Sequence, residues 1–221
     1  MPHVLVCLCA LFLPLYGFWQ AAQAPPSSPT PPARFRPLFD GTTLTGWVGD
    51  TAGYSVVDGA IEAGASGTNL FSAATFADFH LKFEFQLTPG ANNGIGIRAP
   101  LEGDAAYEGM EIQVLDNSSS KYASLAPWQY HGSIYGVVPA KREHLKPVGE
   151  WNHEEIIVDG SKVRVILNGT PIVDADVSKA AHDGTPDGKP HPGLRRQAGH
   201  IGFLGHGDRV RFRKIEIAEL H

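Results

Sequence analysis

Cysteine is almost missing from this chain of 221 residues: there are two, Cys7 and Cys9, and both lie in an apolar N-terminal run. A chain cleaved after that run has no disulfide, no cysteine-based metal site and no thiol nucleophile. Excess positive charge is missing too. The formal net charge is −5, which speaks against the basic stripe of a nucleic-acid binder. There is no phosphate-binding P-loop, no dinucleotide fingerprint and no G-x-S-x-G elbow. The histidines toward the end of the chain (His182, His191, His200, His206 and His221) lack the i, i+4 or H-x-H spacing of a zinc site. Helical periodicity is scarce, with a single turn at Ser178–His182 as the main candidate.

The apolar run, residues 4–19, falls short of the ~20 residues that span a bilayer. It is followed by Ala22-Gln23-Ala24, an A-x-A cleavage signature. Residues 1–24 therefore read as a secretory signal peptide, although Met1-Pro2-His3 offers no Lys or Arg. Residues 25–34 form a Pro/Ser-rich linker, extended and solvated. Residues 35–221 make one domain. The expectation is an exported bacterial protein, periplasmic or secreted, with no stable membrane insertion after cleavage. The oligomeric state is not legible.

What the chain does have is strands. Phe79–Leu87 alternates apolar and polar residues without a break, as a half-buried antiparallel strand does. Three further strands, 151–159, 162–167 and 170–176, are separated by Asp159-Gly160 and Asn168-Gly169, which predict a meander with tight turns. In the last strand, 209–220, the apolar phase slips at Arg213-Lys214, predicting a β-bulge. His182–Arg196 is a long polar loop rich in Gly and Pro. Roughly ten or more strands of this kind predict an all-β fold of two packed antiparallel sheets, a jelly-roll sandwich, with an up-and-down barrel as the alternative.

The candidate site lies in Asn92–Asn117. On its first strand Ile95, Ile97 and Ala99 point one way, and Gly94, Gly96 and Arg98 the other. On its second, Met110, Ile112 and Val114 oppose Glu111, Gln113 and Leu115. One face thus carries little bulk and a few polar groups, which suits a polar ligand lying close to the backbone. Arg98 and Glu111 would form either a cross-strand ion pair or a base with its electrostatic partner. Asp116 ends the strand and could serve as a turn residue only. Trp128–Gly136 brings Trp128, Tyr130, His131 and Tyr135 together, as a sugar site needs, or as half-buried loop anchors. His206 sits between Gly205 and Gly207 on a sharp turn, and Asp208 is placed to cap it.

These motifs, in this order, resemble those of the 3-keto-disaccharide hydrolase family. The segments are Leu38–Trp47, Asn93–Arg98, Glu108–Asn117, Gly132–Gly136, Gly149–Asn152 with Leu167–Gly169, and His206–Ile215. Two positions depart from the pattern: Leu204-Gly205 replaces a Gln-Asp pair before the histidine, and Lys214 replaces an Asn. The resemblance implies a concanavalin A-like jelly roll with a ligand groove on its concave sheet. It also implies action on glycosides whose C3 hydroxyl is already a ketone. That ketone acidifies the C2 proton, so a base can remove it and the C1 substituent can leave, without the two flanking carboxylates of ordinary glycosidases. In this reading Glu111 or His131 is the base, Arg98 stabilises the enolate, and His206 or Tyr135 is the acid. Asn93, Gln113, Asp116, Trp128 and Tyr135 bind the sugar. No cofactor is implied, but a divalent ion on Asp116, or bridging Glu111 and an enolate oxygen, stays open. The competing class is a non-catalytic carbohydrate-binding module, because fold does not settle function. Conventional glycosidase action is a third reading.

Overall fold

The computed structural model of the chain describes Met1 and residues 34–220. The signal peptide and linker expected at 1–24 and 25–34 lie outside the described residues apart from Met1 and Arg34. Thirteen strands form among the described residues: β1 (Arg36–Pro37), β2 (Trp47–Gly49), β3 (Tyr54–Val57), β4 (Ala60–Ala63), β5 (Asn69–Phe76), β6 (Phe79–Leu87), β7 (Asn92–Ala99), β8 (Met110–Leu115), β9 (Trp151–Asp159), β10 (Lys162–Leu167), β11 (Thr170–Asp176), β12 (Gly199–Leu204) and β13 (Val210–Glu219). They build two antiparallel sheets. The larger runs β11-β10-β9-β6-β13-β4-β3 with β1 also on β13, and the smaller runs β2-β5-β12-β7-β8. This is the expected jelly-roll sandwich.

Period-two patterning explains why the sheets face each other. In β6 every odd residue from Phe79 to Leu87 is buried and every even one is half-buried. These side chains meet Ile95, Ile97, Met110, Ile112, Val114 and Phe203 of the smaller sheet in a single core. An aromatic stack crosses it: Trp47 lies 5.1 Å from Phe203, which lies 4.0 Å from Phe212. Such ring pairs add about 0.5–1.5 kcal/mol each beyond the area they bury.

The meander forms as read. Asn168 and Gly169 both have positive φ (48° and 84°), the geometry that favours Asn-Gly in two-residue hairpins. In the other turn Lys162 pairs with Asp159, so Gly160-Ser161 rather than Asp159-Gly160 make the loop. The register of β13 against β6 shifts between Arg213 and Glu216, with Lys214 at φ 50°, as the phase slip predicts. Two short helices were not foreseen at their full extent. Helix α1 (Ala105–Glu108) interrupts the β7–β8 loop and α2 (Val177–Asp183) is capped by Asp176. Part of the long polar loop also winds into a 3₁₀ turn, Pro192–Arg195.

A second bulge corrects the reading of Arg98. Gly96 of β7 stands opposite Gly202 of β12, but Ala99 stands opposite His200, so two β7 residues face one on β12. Arg98 takes φ 48° there. A bulge of this kind re-aims its side chain. The guanidinium turns away from Glu111 and donates to Asp78 Oδ1 (2.8 Å) and to the carbonyls of Ala77 (2.9 Å), Gly160 (2.9 Å) and Arg196 (3.1 Å). Its side chain is 3% exposed. Arg98 thus ties the start of β6, the β9–β10 turn and the approach to β12. Arg98→Met should leave Asp78 and three carbonyls without their donor and cost about 3–5 kcal/mol in chemical denaturation. Activity per folded molecule should survive, and a dead but fully stable variant would contradict this placement.

Candidate active site

The outer face of the smaller sheet is divided between two environments. Toward β5 and β12 it is covered by a small apolar cluster of Phe71, Ala99, Ala105 and Leu204, with Val48 packed on it. Toward β7 and β8 it is open, and a groove of about 360 Å³ lies there. The floor follows from strand register. Gly94 faces Gln113 and Gly96 faces Glu111 across the β7–β8 ladder. A Cβ on Gly94 would overlap the Glu111 carboxylate, which therefore occupies the volume that glycine leaves free. Leu204 covers Gly96 more loosely, its side chain 3.2 Å from where a Cβ would stand. Leu204 thus continues the apolar cluster over this part of the sheet.

Glu111 is 4% exposed, and its Oε1 has no hydrogen-bond partner. Burial pushes its carboxyl above the ordinary carboxylate range, and His206 only partly pulls it back. His206 Nε2 lies 3.7 Å from Glu111 Oε1, within ion-pair reach but longer than a hydrogen bond. The Glu111 carboxylate in turn raises the imidazole above its usual value. Each group's charged form is favoured by the other's, so the two titrations are coupled. His206 is half open to solvent, and its turn is anchored from both sides. Gly205 N donates to Thr68 O (2.8 Å), and the Asp208 carboxylate accepts from Asn92 N (3.1 Å). Asp208 caps β7 rather than its own turn.

Beside the pair, Gln113 donates to Asn92 Oδ1 (3.1 Å) while its own buried Oε1 lacks a partner. Two buried acceptors without partners, on residues 111 and 113, thus belong to side chains that line one groove. Buried polar groups in native proteins are nearly always paired, so such atoms call for a ligand donor. The walls are Tyr107 on α1 and Tyr135, whose rings stand at 89° to each other with centroids 6.4 Å apart. Gln129 Nε2 donates to Tyr135 OH (3.3 Å). Lys189 Nζ donates to Tyr107 OH (3.0 Å) and closes the rim.

Of the residues singled out in the sequence, Glu111, Gln113, Tyr135 and His206 are brought together here. Trp128 stands edge-on behind Tyr135 (5.5 Å, 87°) and supports it from outside the groove. The others lie elsewhere. Asn93 is fully buried among the core residues of β7, because its odd position shares the face of Ile95 and Ile97. His131 is also on the core side. Its Nδ1 accepts from Leu115 N (3.4 Å) and its Nε2 lies 2.9 Å from Glu154 Oε2, deep between the sheets. It cannot reach a ligand in the groove. Asp116 accepts from Gly90 N and from Ser118 N and Oγ, which makes it a turn residue. Among the described residues no three His, Cys, Asp or Glu side chains cluster as a metal site would. No helix among them is long and apolar enough to cross a membrane.

Among the groove residues that were missed are Asn92, Tyr107, Gln129 and Lys189. Asn92 was within reach, since extending the even-numbered face of Gly94 and Gly96 by one step arrives at it. The other three sit on loops and short helices, where no periodicity shows where a side chain points.

Fold and groove define a jelly-roll protein with a buried carboxylate–histidine pair walled by tyrosines and amides. The chain belongs to the 3-keto-α-glucoside-1,2-lyase-like domain family, whose sequence model matches residues 34–218. It is 28% identical over 224 aligned positions to the 3-keto-disaccharide hydrolase of Bacteroides thetaiotaomicron, covering 83% of this chain and 77% of that protein. It is also similar to the crystal structure of a candidate glycosyl hydrolase from Parabacteroides distasonis, at 30% identity and a TM-score of 0.76, covering 85% of this chain and all of that one. A Bacillus subtilis protein with a galectin-like fold matches at 12% identity and a TM-score of 0.55, covering 84% of this chain and 94% of that one, and bears on the fold alone.

The raised Glu111 carboxyl has a consequence for stability. A group whose folded pKa lies above its unfolded value stabilises the fold at low pH, and this contribution is lost as pH rises through the folded value. Ionised Glu111 therefore weighs against folding at neutral and alkaline pH. Glu111→Gln should melt at a higher temperature than the parent at pH 8, with the gap closing toward pH 4. Equal melting temperatures at pH 8 would contradict the desolvation described.

Proposed function

We propose that this protein cleaves glycosides whose C3 hydroxyl has been oxidised to a ketone, 3-keto-disaccharides among them. The observation that carries this reading is the Glu111 carboxylate, desolvated, with Oε1 without a partner, and set 3.7 Å from His206. A binding module needs hydroxyl partners and an aromatic wall but gains nothing from a buried carboxylate of raised basicity. A conventional glycosidase needs two carboxylates flanking the bond. The groove's other carboxylate, Asp104, is exposed and occupied in capping α1.

In this mechanism Glu111 takes the C2 proton, which the neighbouring ketone has acidified. The C2–H electron pair becomes the C2=C3 bond of an enolate, and the C3=O pair moves onto oxygen. The enolate then re-forms the ketone, makes a C1=C2 bond and breaks the bond from C1 to the aglycone oxygen. That oxygen takes a proton from His206. Water added across C1=C2 completes a net hydrolysis. Glu111 must be ionised and His206 protonated, the combination that the attraction between carboxylate and imidazolium favours. The acceptors on Gln113 and Asn92 hold sugar hydroxyls, and Tyr135 offers an aromatic face. We place the reaction outside the cytoplasm, on the strength of the A-x-A signature at 22–24.

The test is to follow purified protein with 3-keto-trehalose, 3-keto-cellobiose and their unoxidised parents in D₂O by NMR. Deuterium should enter C2 and the aglycone should be released from the keto sugars only, and Glu111→Gln should abolish both. Keto sugar bound without exchange or cleavage would favour a carbohydrate-binding module. Cleavage of the unoxidised parents would favour a conventional glycosidase. The rate should rise with pH through a value above the ordinary carboxylate range, as Glu111 ionises. It should fall again above the raised imidazole value, as His206 loses its proton. Gly94→Ala should push the carboxylate off its site and lower kcat roughly 100-fold, the usual effect of a displacement near 1 Å.

A further inference from the structure

With Arg98 committed to the sheet edge, the enolate oxygen needs another electrophile. Among the described residues that line the groove, Lys189 is the one lysine or arginine. Its Nζ donates to Tyr107 OH (3.0 Å), which leaves the phenolic proton free to point at a ligand. Together they present the Tyr107 O–H and the remaining Lys189 N–H bonds on the rim above Glu111.

Lys189 lies on an otherwise exposed loop, yet its backbone is fastened. Asp187 Oδ1 accepts from Lys189 N (3.0 Å) and from the Thr185 hydroxyl (2.8 Å), while Oδ2 faces His191 Nε2 at 3.0 Å. Both side chains of this Asp187–His191 pair are 1% exposed. The His191 ring packs against Tyr107, centroids 4.6 Å apart. The pair docks on Gly136 (φ 75°), where an added Cβ would come within 2.5 Å of Asp187 Oδ2 and 2.8 Å of the His191 ring. Gly136 follows Tyr135, so one clasp sets the lysine, Tyr107 and the Tyr135 wall in mutual register.

We infer that Lys189 and Tyr107 are the electrophilic pair of this site, donating to the C3 oxygen as it becomes an enolate, and that Asp187 and His191 are positioning residues that hold the lysine there. This rests on the keto-glycoside reading above. No proton changes hands at the C3 oxygen: the C2 proton goes to Glu111, and negative charge accumulates on an oxygen that Lys189 and Tyr107 already face.

The experiment measures C2 deuterium exchange, aglycone release and KM on 3-keto-cellobiose for the full chain. Lys189→Ala and Tyr107→Phe should each lower exchange and release together by roughly 100- to 1,000-fold, the range for losing one oxyanion donor, with KM within a few-fold of the parent. Ethylammonium added to Lys189→Ala should restore part of kcat, which a structural role would not allow. Asp187→Ala should lose kcat in the same sense while Glu111 keeps its protein environment. Lys189→Ala with parental kcat and a raised KM would overturn the proposal, since the lysine would then only bind. Full exchange with lost aglycone release would overturn it too, because the lysine would be the leaving-group acid. If the parent itself neither exchanges nor cleaves keto sugars, the underlying reading fails and takes this one with it. Parental turnover with an unaffected Lys189→Ala overturns this one alone.

Discussion

Everything at this site depends on a carboxylate kept dry. Glu111 lies over a glycine, beneath the level of its neighbours' side chains, with one oxygen unpaired. That arrangement is unfavourable in isolation, since burying an ionisable group without partners raises the free energy of its charged form. The sheet accommodates it because the rest of the ladder is regular. Ile95, Ile97, Ile112 and Val114 are fully buried on the opposite face, and they hold β7 and β8 in the register that sets Gly94 beside the glutamate. Core packing therefore carries the cost of the site, and the chemistry is set by how little surrounds one side chain.

The bulge at Arg98 follows from the same register. Had β7 continued flat, the guanidinium would lie on the groove face with Gly94 and Gly96. A salt bridge to Glu111 would then lower the carboxyl and remove its basicity. By turning Arg98 out to Asp78 and three carbonyls, the bulge uses the cation to fasten three chain segments and leaves the glutamate poised. A permanent cation directly beside Glu111 would hold its carboxyl low. A titratable imidazole at 3.7 Å does not, because it can give its proton away.

This explains which parts of the molecule were legible in the sequence. Alternation in residues 79–87 and the Asn-Gly turn at 168–169 specify strands through a period of two and a local backbone requirement, and both appear as read. Glu111 and Gln113 were readable for the same reason. Arg98 was misread because a single residue at positive φ breaks the period, and no composition signal marks that residue as it would a glycine. Asn93 was assigned to the groove by the motif resemblance, although its odd position puts it in the core. His131 shows the limit of motif reading. Its neighbours Tyr135 and Gln129 do reach the groove, but the loop's turn at Gly132 sends the histidine inward to Glu154.

The two halves of the site are built on different principles, and this bears on how each can change. Glu111 belongs to a ladder in which moving any residue by one position would swap the buried and open faces, so its geometry is fixed by the whole sheet. The cation belongs to a loop held by a few polar contacts, Asp187 with His191 above all, docked on one glycine. A loop of this sort can alter in length or composition outside the clasp without disturbing the core. The position of Lys189 is therefore less tightly fixed by the fold than that of Glu111. Leu204 places an apolar side chain over Gly96, so the polar side chains of the groove floor are Asn92, Glu111 and Gln113.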